Sequence, residues 1–196
     1  VGVRIGVLAL QGDVSEHLLT FREALRSRES PGNDRVFPVR TREVLRTCDA
    51  LAIPGGESTT ISRLIGSHGL YKGIQEFEGI IFATCAGMVL LGNGADDPRI
   101  HTLGLIDMGV ERNAFGRQRE SFEAEIEIQG LASPFHAIFI RAPLVTRIGR
   151  GVEVLSRIPE GIVGVRMGGH MAFSFHPELT KDLRLHELFL AQLENA

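Results

Sequence analysis

The sequence predicts an α/β domain with a mostly parallel central sheet and antiparallel additions. Two observations carry that expectation. Short β-branched apolar runs alternate with amphipathic helical patterns through the first half of the chain, which is the order of βαβ units. In the second half, five strand-like runs follow one another across short turns, and such spacing favours antiparallel hairpins attached to the parallel sheet.

Residues 4–10 are continuously apolar apart from Arg4 and Gly6, as a strand buried on both faces must be. Residues 13–27 place Val14, Leu18, Phe21 and Leu25 at a spacing of three to four, the stripe of an amphipathic helix. The stretch 28–35, containing Ser30-Pro31-Gly32-Asn33-Asp34, is a turn-rich surface excursion. Strands follow at 36–39, 50–53 and 80–83, with helices at 60–67 and 85–91. The later strands are expected at 122–128, 137–141, 152–156, 162–165 and 171–175, before a final amphipathic helix over 183–193. No internal repeat or linker interrupts them, so residues 1–196 are expected to form one domain.

Composition narrows the function classes. Hydrophobic residues make up 43% and charged residues 23%, the balance of a globular protein with a real core. With 21 Lys and Arg against 24 Asp and Glu, the net charge of -3 offers no basic footprint, so neither nucleic acid nor a membrane surface is expected as a partner. No apolar run approaches the roughly 20 residues of a membrane span. Residues 1–10 lack a basic leader and a small-residue cleavage site, and they read as the first strand rather than a signal peptide, so a cytoplasmic location is expected. Cys48 and Cys85 are then expected to act, if at all, as thiols.

Three motifs concentrate chemistry. Residues 79–88, Gly-Ile-Ile-Phe-Ala-Thr-Cys-Ala-Gly-Met, run from a buried strand through a tight turn into a helix, with Cys85 at the elbow. That position exposes a side chain at the carboxyl edge of the sheet, and the helix amino terminus favours a thiolate; the plainer alternative is a small buried core thiol. In Phe173-Ser174-Phe175-His176-Pro177-Glu178, Pro177 is expected to hold the backbone extended so that His176 and Glu178 lie on one side, a base beside its orienter. The alternative is a solvated pair on a loop. His17, His68, His101, His136, His170 and His186 lack such a setting and are expected to be surface or packing residues. In Pro54-Gly55-Gly56-Glu57-Ser58-Thr59, two glycines allow amides to converge on an oxyanion, with Ser58 or Thr59 capping the next helix. A Walker lysine and the spaced glycines of a dinucleotide fingerprint are absent, and no His, Cys and carboxylate cluster has ligand spacing, so no metal is expected.

Together and in this order, Pro54 to Ser58, Thr84-Cys85-Ala86-Gly87 and His176-Pro177-Glu178 resemble the class I, or triad, glutamine amidotransferases. Further segments cover nearly the whole chain and narrow the resemblance to the glutaminase-subunit family of pyridoxal 5′-phosphate synthases. These are Leu8-Ala9-Leu10-Gln11-Gly12-Asp13, Arg112-Asn113-Ala114-Phe115-Gly116-Arg117-Gln118, Phe139-Ile140-Arg141-Ala142-Pro143 and Ser174 to Thr180. Ala83 stands where the elbow often has glycine, and 28–35 looks like a local insertion.

The resemblance implies a flavodoxin-like three-layer fold and hydrolysis of L-glutamine to glutamate and ammonia through a glutamyl thioester. Cys85 would be the nucleophile, His176 the proton shuttle and Glu178 its orienter. Gly56 and Ala86 would supply the oxyanion hole, while Gly55, Gly56, Glu57, Arg112, Ile140 and Arg141 would contact L-glutamine. Gln11 and Gly12 would form an activation loop reordered by the partner. That partner would be a barrel-shaped synthase subunit supplied in trans, since a barrel of about 250 residues does not fit in this chain. The chain itself would need no cofactor. A triad enzyme serving another synthase, and a catalytically silent module on the same fold, are the alternatives; the segments around Gln11 and Arg112 disfavour the first, and the intact set of Cys85, His176 and Glu178 disfavours the second.

Overall fold

The computed structural model describes residues 2–28, 32–116 and 120–194. Glu29, Ser30 and Pro31 of the turn-rich stretch, and Arg117 and Gln118 of the segment that begins at Arg112, lie outside the described residues. The strands in chain order are β1 (Arg4–Leu8), β2 (Arg35–Val39), β3 (Ala50–Ile53), β4 (Ile80–Thr84), β5 (Gly94–Ala95) and β6 (Met108–Glu111). They continue with β7 (Ser121–Ile126), β8 (Phe135–Ile140), β9 (Leu144–Ile148), β10 (Glu153–Ile158), β11 (Gly161–Met167) and β12 (His170–Phe173). The helices are α1 (Val14–Arg26), α2 (Arg42–Leu45), α3 (Ser58–Ser67), α4 (Tyr71–Gln75), α5 (Ala86–Leu91) and α6 (Arg184–Glu194).

β2, β1, β3, β4 and β12 lie side by side in that order, all parallel, which makes this half of the sheet a doubly wound one. β11 then pairs antiparallel with β12, and β9, β6 and β5 extend the sheet beyond it, while β10 pairs with β11. The continuous apolar runs follow from burial on both faces. In β4, Ile80 and Phe82 join the core beneath α1 and α6, where Phe21 and Phe189 pack, while Ile81 and Ala83 join the core beneath α3 and α5 with Ile61 and Met88.

Not all the later strands join the main sheet as expected: β7 and β8 form a separate two-stranded sheet. Their sequences alternate, with Glu123, Glu125 and His136 outward, so only one face can be buried. That face carries Phe139, whose ring lies 5.5 Å from Phe175, and it seats the hairpin over the core, against β10 and the 177–179 turn. The expected strand 171–175 ends at Phe173: Ser174 still donates to Val163 O of β11, but His176 donates to Ile138 O of β8, in the separate sheet. Among the described residues, no helix is long and apolar enough to cross a membrane.

One consequence of the strand order governs function. β1 has β2 on one side and β3 on the other, so the connections from β1 and β3 part at their carboxyl ends, the usual ligand crevice of such sheets. The loop 9–13 follows β1, the turn 54–57 follows β3, Cys85 follows β4 and His176 follows β12, so all three motifs and the Gln11 loop meet at one edge.

Candidate active site

Cys85 sits where β4 passes into α5, with φ 49° and ψ −107°. Such a conformation costs a non-glycine residue on the order of 1–3 kcal/mol and persists only where the surroundings impose it. Here they do: the Cys85 amide donates to Phe173 O across 2.8 Å, and the elbow is buried between β3 and β12. Sγ lies 3.8 Å from Ile140 O, which brings the β8 end over the thiol.

His176 Nδ1 lies 2.8 Å from Glu178 Oε1, and both side chains are buried. The backbone between them is not the extended one expected of Pro177 but a single 3-10 turn over Pro177–Leu179, with Leu179 N donating to His176 O. Proline at the start of a helical turn forfeits no hydrogen bond, and the turn folds the Glu178 carboxylate back under the ring. Asp13 Oδ2 is a second acceptor, 3.2 Å from the same Nδ1. With Nδ1 so engaged, Nε2 is the nitrogen left for the Cys85 thiol, the two side chains opening into the same cavity. Burial by itself lowers the pKa of His176, but hydrogen bonds to Asp13, Cys85 and Glu178 outweigh it and favour the imidazolium. Burial pushes Glu178 up, whereas the charge and hydrogen bond of His17, then those of His176, hold it well below the usual carboxylate range.

The turn after β3 is threaded against the loop after β1. Asp13 N donates to Gly55 O across 3.1 Å, and Gln11 Oε1 accepts from Glu57 N at 2.9 Å. Gly12, at φ +100°, is obligatory here, since a Cβ would stand 1.7 Å from Gly55 O. A Cβ on Gly55 would come within 2.5 Å of His176 Cε1, so that glycine lets the ring approach the turn. The expected capping by Ser58 or Thr59 is instead performed by Glu57, whose carboxylate accepts from Thr59 N at 3.1 Å and Thr60 N at 2.7 Å. A carboxylate reaches both amides at once, whereas Ser58 Oγ is taken by Arg112 at 3.1 Å.

Arg112 also pairs with Asp97 at 2.8 Å. Gly56, Glu57, Ala86, Arg112, Ile140 and Arg141 border one cavity of about 660 Å3, into which Cys85 and His176 also open. Gly55 lies behind the His176 ring rather than on the wall. The Arg141 side chain is largely exposed at the rim, 3.7 Å from Glu120. A larger cavity of about 830 Å3 between α1, β2 and α2 is lined by Arg4, Arg22, Arg26 and Arg35, with neither histidine nor thiol among its described lining residues.

Asp13, His176 and Glu178 bring three potential metal ligand atoms within 4.8 Å of one another. Ligand atoms 2.0–2.1 Å from a tetrahedral ion stand about 3.3 Å apart. The Nδ1 to Oε1 separation of 2.8 Å is a hydrogen-bond length, and the geometry is that of an oriented histidine.

Residues 7–195 match the SNO glutamine amidotransferase family. The chain belongs to this family. Among its members, the pyridoxal 5'-phosphate synthase subunit PdxT of Methanoculleus marisnigri is 64% identical over 99% of this chain and 100% of its own length. The subunit of the same name from Methanoregula boonei is 61% identical over 97% and 99%. A solved glutamine amidotransferase superposes with a TM-score of 0.84 at 45% identity, covering 97% of this chain and 98% of that one. A putative GMP synthase component from Thermoplasma acidophilum superposes with a TM-score of 0.71 at 15% identity, covering 100% of this chain and 96% of that one, a likeness of fold alone.

For this amidotransferase the structure adds residues that the motifs did not single out. Thr84 Oγ1 accepts from Gly55 N at 3.1 Å and so joins the elbow to the glycine turn. Asp13, which the sequence offers as a helix start and as the end of the Leu8 to Asp13 segment with no role of its own, leaves its helix uncapped and turns to His176. His17, expected to be a surface or packing residue, is fully buried with Nε2 3.4 Å from Glu178 Oε1. The one signal in the sequence was position: His17 lies on the apolar side of α1, four residues after Asp13. His170, by contrast, accepts from Ile81 N, and His136 sits on the surface between Glu123 and Glu125.

Proposed function

We propose that this chain hydrolyses L-glutamine to L-glutamate and ammonia and delivers the ammonia to a separate, barrel-shaped synthase subunit that builds pyridoxal 5′-phosphate. The observation that carries the reading is the convergence of Cys85 and His176 on one cavity, with the thiol at a strained elbow and the ring oriented from behind by the buried Glu178 carboxylate. The Cys85 thiolate attacks the side-chain amide carbon, and the oxyanion forms against the amides of Gly56 and Ala86. His176 gives its proton to the departing nitrogen, ammonia leaves and a glutamyl thioester remains. His176 then takes a proton from water, hydroxide adds to the thioester, and the collapse expels the Cys85 thiolate beside the imidazolium and frees glutamate, whose new carboxyl proton passes to solvent. Glu178 holds the ring in register throughout.

Glu57, Arg112, Ile140 and Arg141 on the cavity wall are assigned to glutamine binding, with Gly56 beside them on the wall and Gly55 acting from behind the His176 ring, whose approach it permits. The sequence relatives are named as subunits of a pyridoxal 5'-phosphate synthase, which supports the partner and the destination of the ammonia. Ile140 and Leu179, 39% and 40% exposed at the cavity rim, offer apolar contact to such a partner. The test is to measure glutamate release by the chain alone, by the chain with its synthase partner, and by Cys85→Ala with that partner. Release that needs Cys85 and rises with the partner supports the proposal. Release by Cys85→Ala at the rate of the unaltered chain would overturn it.

A further inference from the structure

Helix α1 turns one face toward the His176–Glu178 turn. Asp13, His17 and Thr20, at spacings of four and three, share that face. Asp13 reaches His176 Nδ1, His17 reaches Glu178 Oε1, and Thr20 Oγ1, which donates to Glu16 O at 2.9 Å, lies 3.4 Å from the Glu178 carbonyl. His17 Nε2 also lies 3.0 Å from Thr84 Oγ1, the residue before the nucleophile. Its Nδ1 is buried without a partner among the described residues, so the ring hydrogen that matters is on Nε2, between two oxygens.

The hydrogens then fall into one order. Gly55 N–H donates to Thr84 Oγ1, His17 Nε2–H lies between Thr84 Oγ1 and Glu178 Oε1, and the Thr84 hydroxyl donates onward to Glu178 Oε1 at 3.5 Å. Glu178 Oε2 is buried without a partner, so Oε1 carries every side-chain hydrogen bond this carboxylate receives among the described residues.

We propose that His17 is a positioning residue of the triad, fixing the Glu178 carboxylate so that it in turn fixes His176. The proposal rests on the glutaminase reading above. His17 is absent from the cavity wall, so it acts through Glu178 and not on glutamine. The titratable groups facing the pair are His176 from the 3-10 turn, Asp13 from the start of α1, Cys85 from the elbow and His186 from α6, whose ring stands 6.5 Å from that of His17. Without the His17 donor, the buried Glu178 takes up a proton more readily as pH falls. His176 then loses the anion that supports its imidazolium, and Cys85 loses its thiolate partner at a higher pH than before.

The experiment uses the full chain carrying Cys48→Ser, with His17→Phe, His17→Gln and His17→Asn. The alkylation rate of Cys85 by iodoacetamide is followed against pH, and kcat and KM for glutamine are measured in the complex with the synthase partner. His17→Phe should move the acid onset of alkylation up by about one pH unit, the size of one lost charge-assisted hydrogen bond. It should also lower kcat on the order of 10- to 100-fold, as loss of an outer hydrogen-bond partner does at other oriented histidines, with KM unchanged. His17→Gln, which keeps an N–H donor of similar reach, should recover both. A folded His17→Phe with the parental onset and kcat would overturn the proposal; if that variant does not fold, the same parental behaviour in His17→Asn overturns it. Cys85→Ala separates the two levels: its loss of activity beside a silent His17→Phe removes His17 alone, whereas retained activity removes the triad.

Discussion

The Gly55 amide donates to Thr84 Oγ1 across 3.1 Å, a buried bond that ties the glycine turn after β3 to the residue before the thiol. Two strands thus bring their loops into register through one hydroxyl. Thr84→Val keeps the shape and removes the acceptor, leaving a buried amide unpaired at a cost of about 1–3 kcal/mol. Chemical denaturation should show that loss, and kcat should fall with it. Unaltered stability and turnover would make the bond incidental.

Cys85→Ala or Cys85→Ser should abolish glutamine hydrolysis and leave fold and partner binding intact, because one sulfur is both nucleophile and leaving group. Cys48 should be replaceable: burial pushes its thiol up to about 11, far from a reactive thiolate. Mass spectrometry after treatment with a thiol-directed glutamine analogue should find the label on Cys85, and label on Cys48 instead would overturn the assignment.

His176→Asn and Glu178→Gln should differ. The first removes the proton shuttle, while the second leaves a base with a less supported imidazolium, so some turnover survives. Steady-state rates for the two variants decide the matter, and near-parental rates for both would make the pair structural.

Glu57 provides a prediction about pH. Burial raises its pKa, but the hydroxyls and amides of Thr59 and Thr60 lower it further, to about 2. A carboxylate depressed in the folded state contributes stability above its ordinary pKa and loses it as pH falls toward the folded value. Glu57→Ala should therefore cost about 1 kcal/mol near neutrality, a typical N-cap loss for a half-exposed group, and the gap should close between pH 4.5 and about 2. Thermal unfolding across that range checks it; a gap that stays constant would show that the charge contributes nothing.

Gly12→Val should uncouple the partner. The loop after β1 rests against Gly55 so closely that a Cβ meets the carbonyl, and φ +100° is strained for valine. We expect docking of the synthase partner to reorder Gln11 and Gly12 and complete the oxyanion hole, a donor worth about 10²- to 10³-fold in rate. The variant complex, once binding is verified, should lack that stimulation. A normal response, or full activity of the free chain, would exclude the switch.

Much of this architecture was legible in the sequence, and the omissions share a cause. β1, β3 and β4 announce themselves because both faces are buried, and Cys85 because small residues surround a strand-to-helix junction. α2 and α4 span one turn each, too short for a period to register, and β6 is weakened by Gly109. β9 buries little beyond Val145, so it carries no strand signal of its own. At the site, His17 shows the limit of periodicity: a helical stripe tells which residues turn inward and not what waits there. Glu178, which gives His17 its meaning, comes from the other end of the chain.

The placement of β12 sets an order of events in folding. Its register, Ala172 beside Ala83 and Phe173 beside Thr84, inserts a late segment next to a strand formed from the middle of the chain. Nearly half of the sequence must be looped out before that parallel pairing closes, the kind of distant contact that slows folding. Until it closes, the amide of Cys85 has no Phe173 carbonyl to hold it at the elbow, and the thiol has no imidazole. The elbow geometry of Cys85 therefore waits on the last strand, whose Phe173 carbonyl is the acceptor for the Cys85 amide.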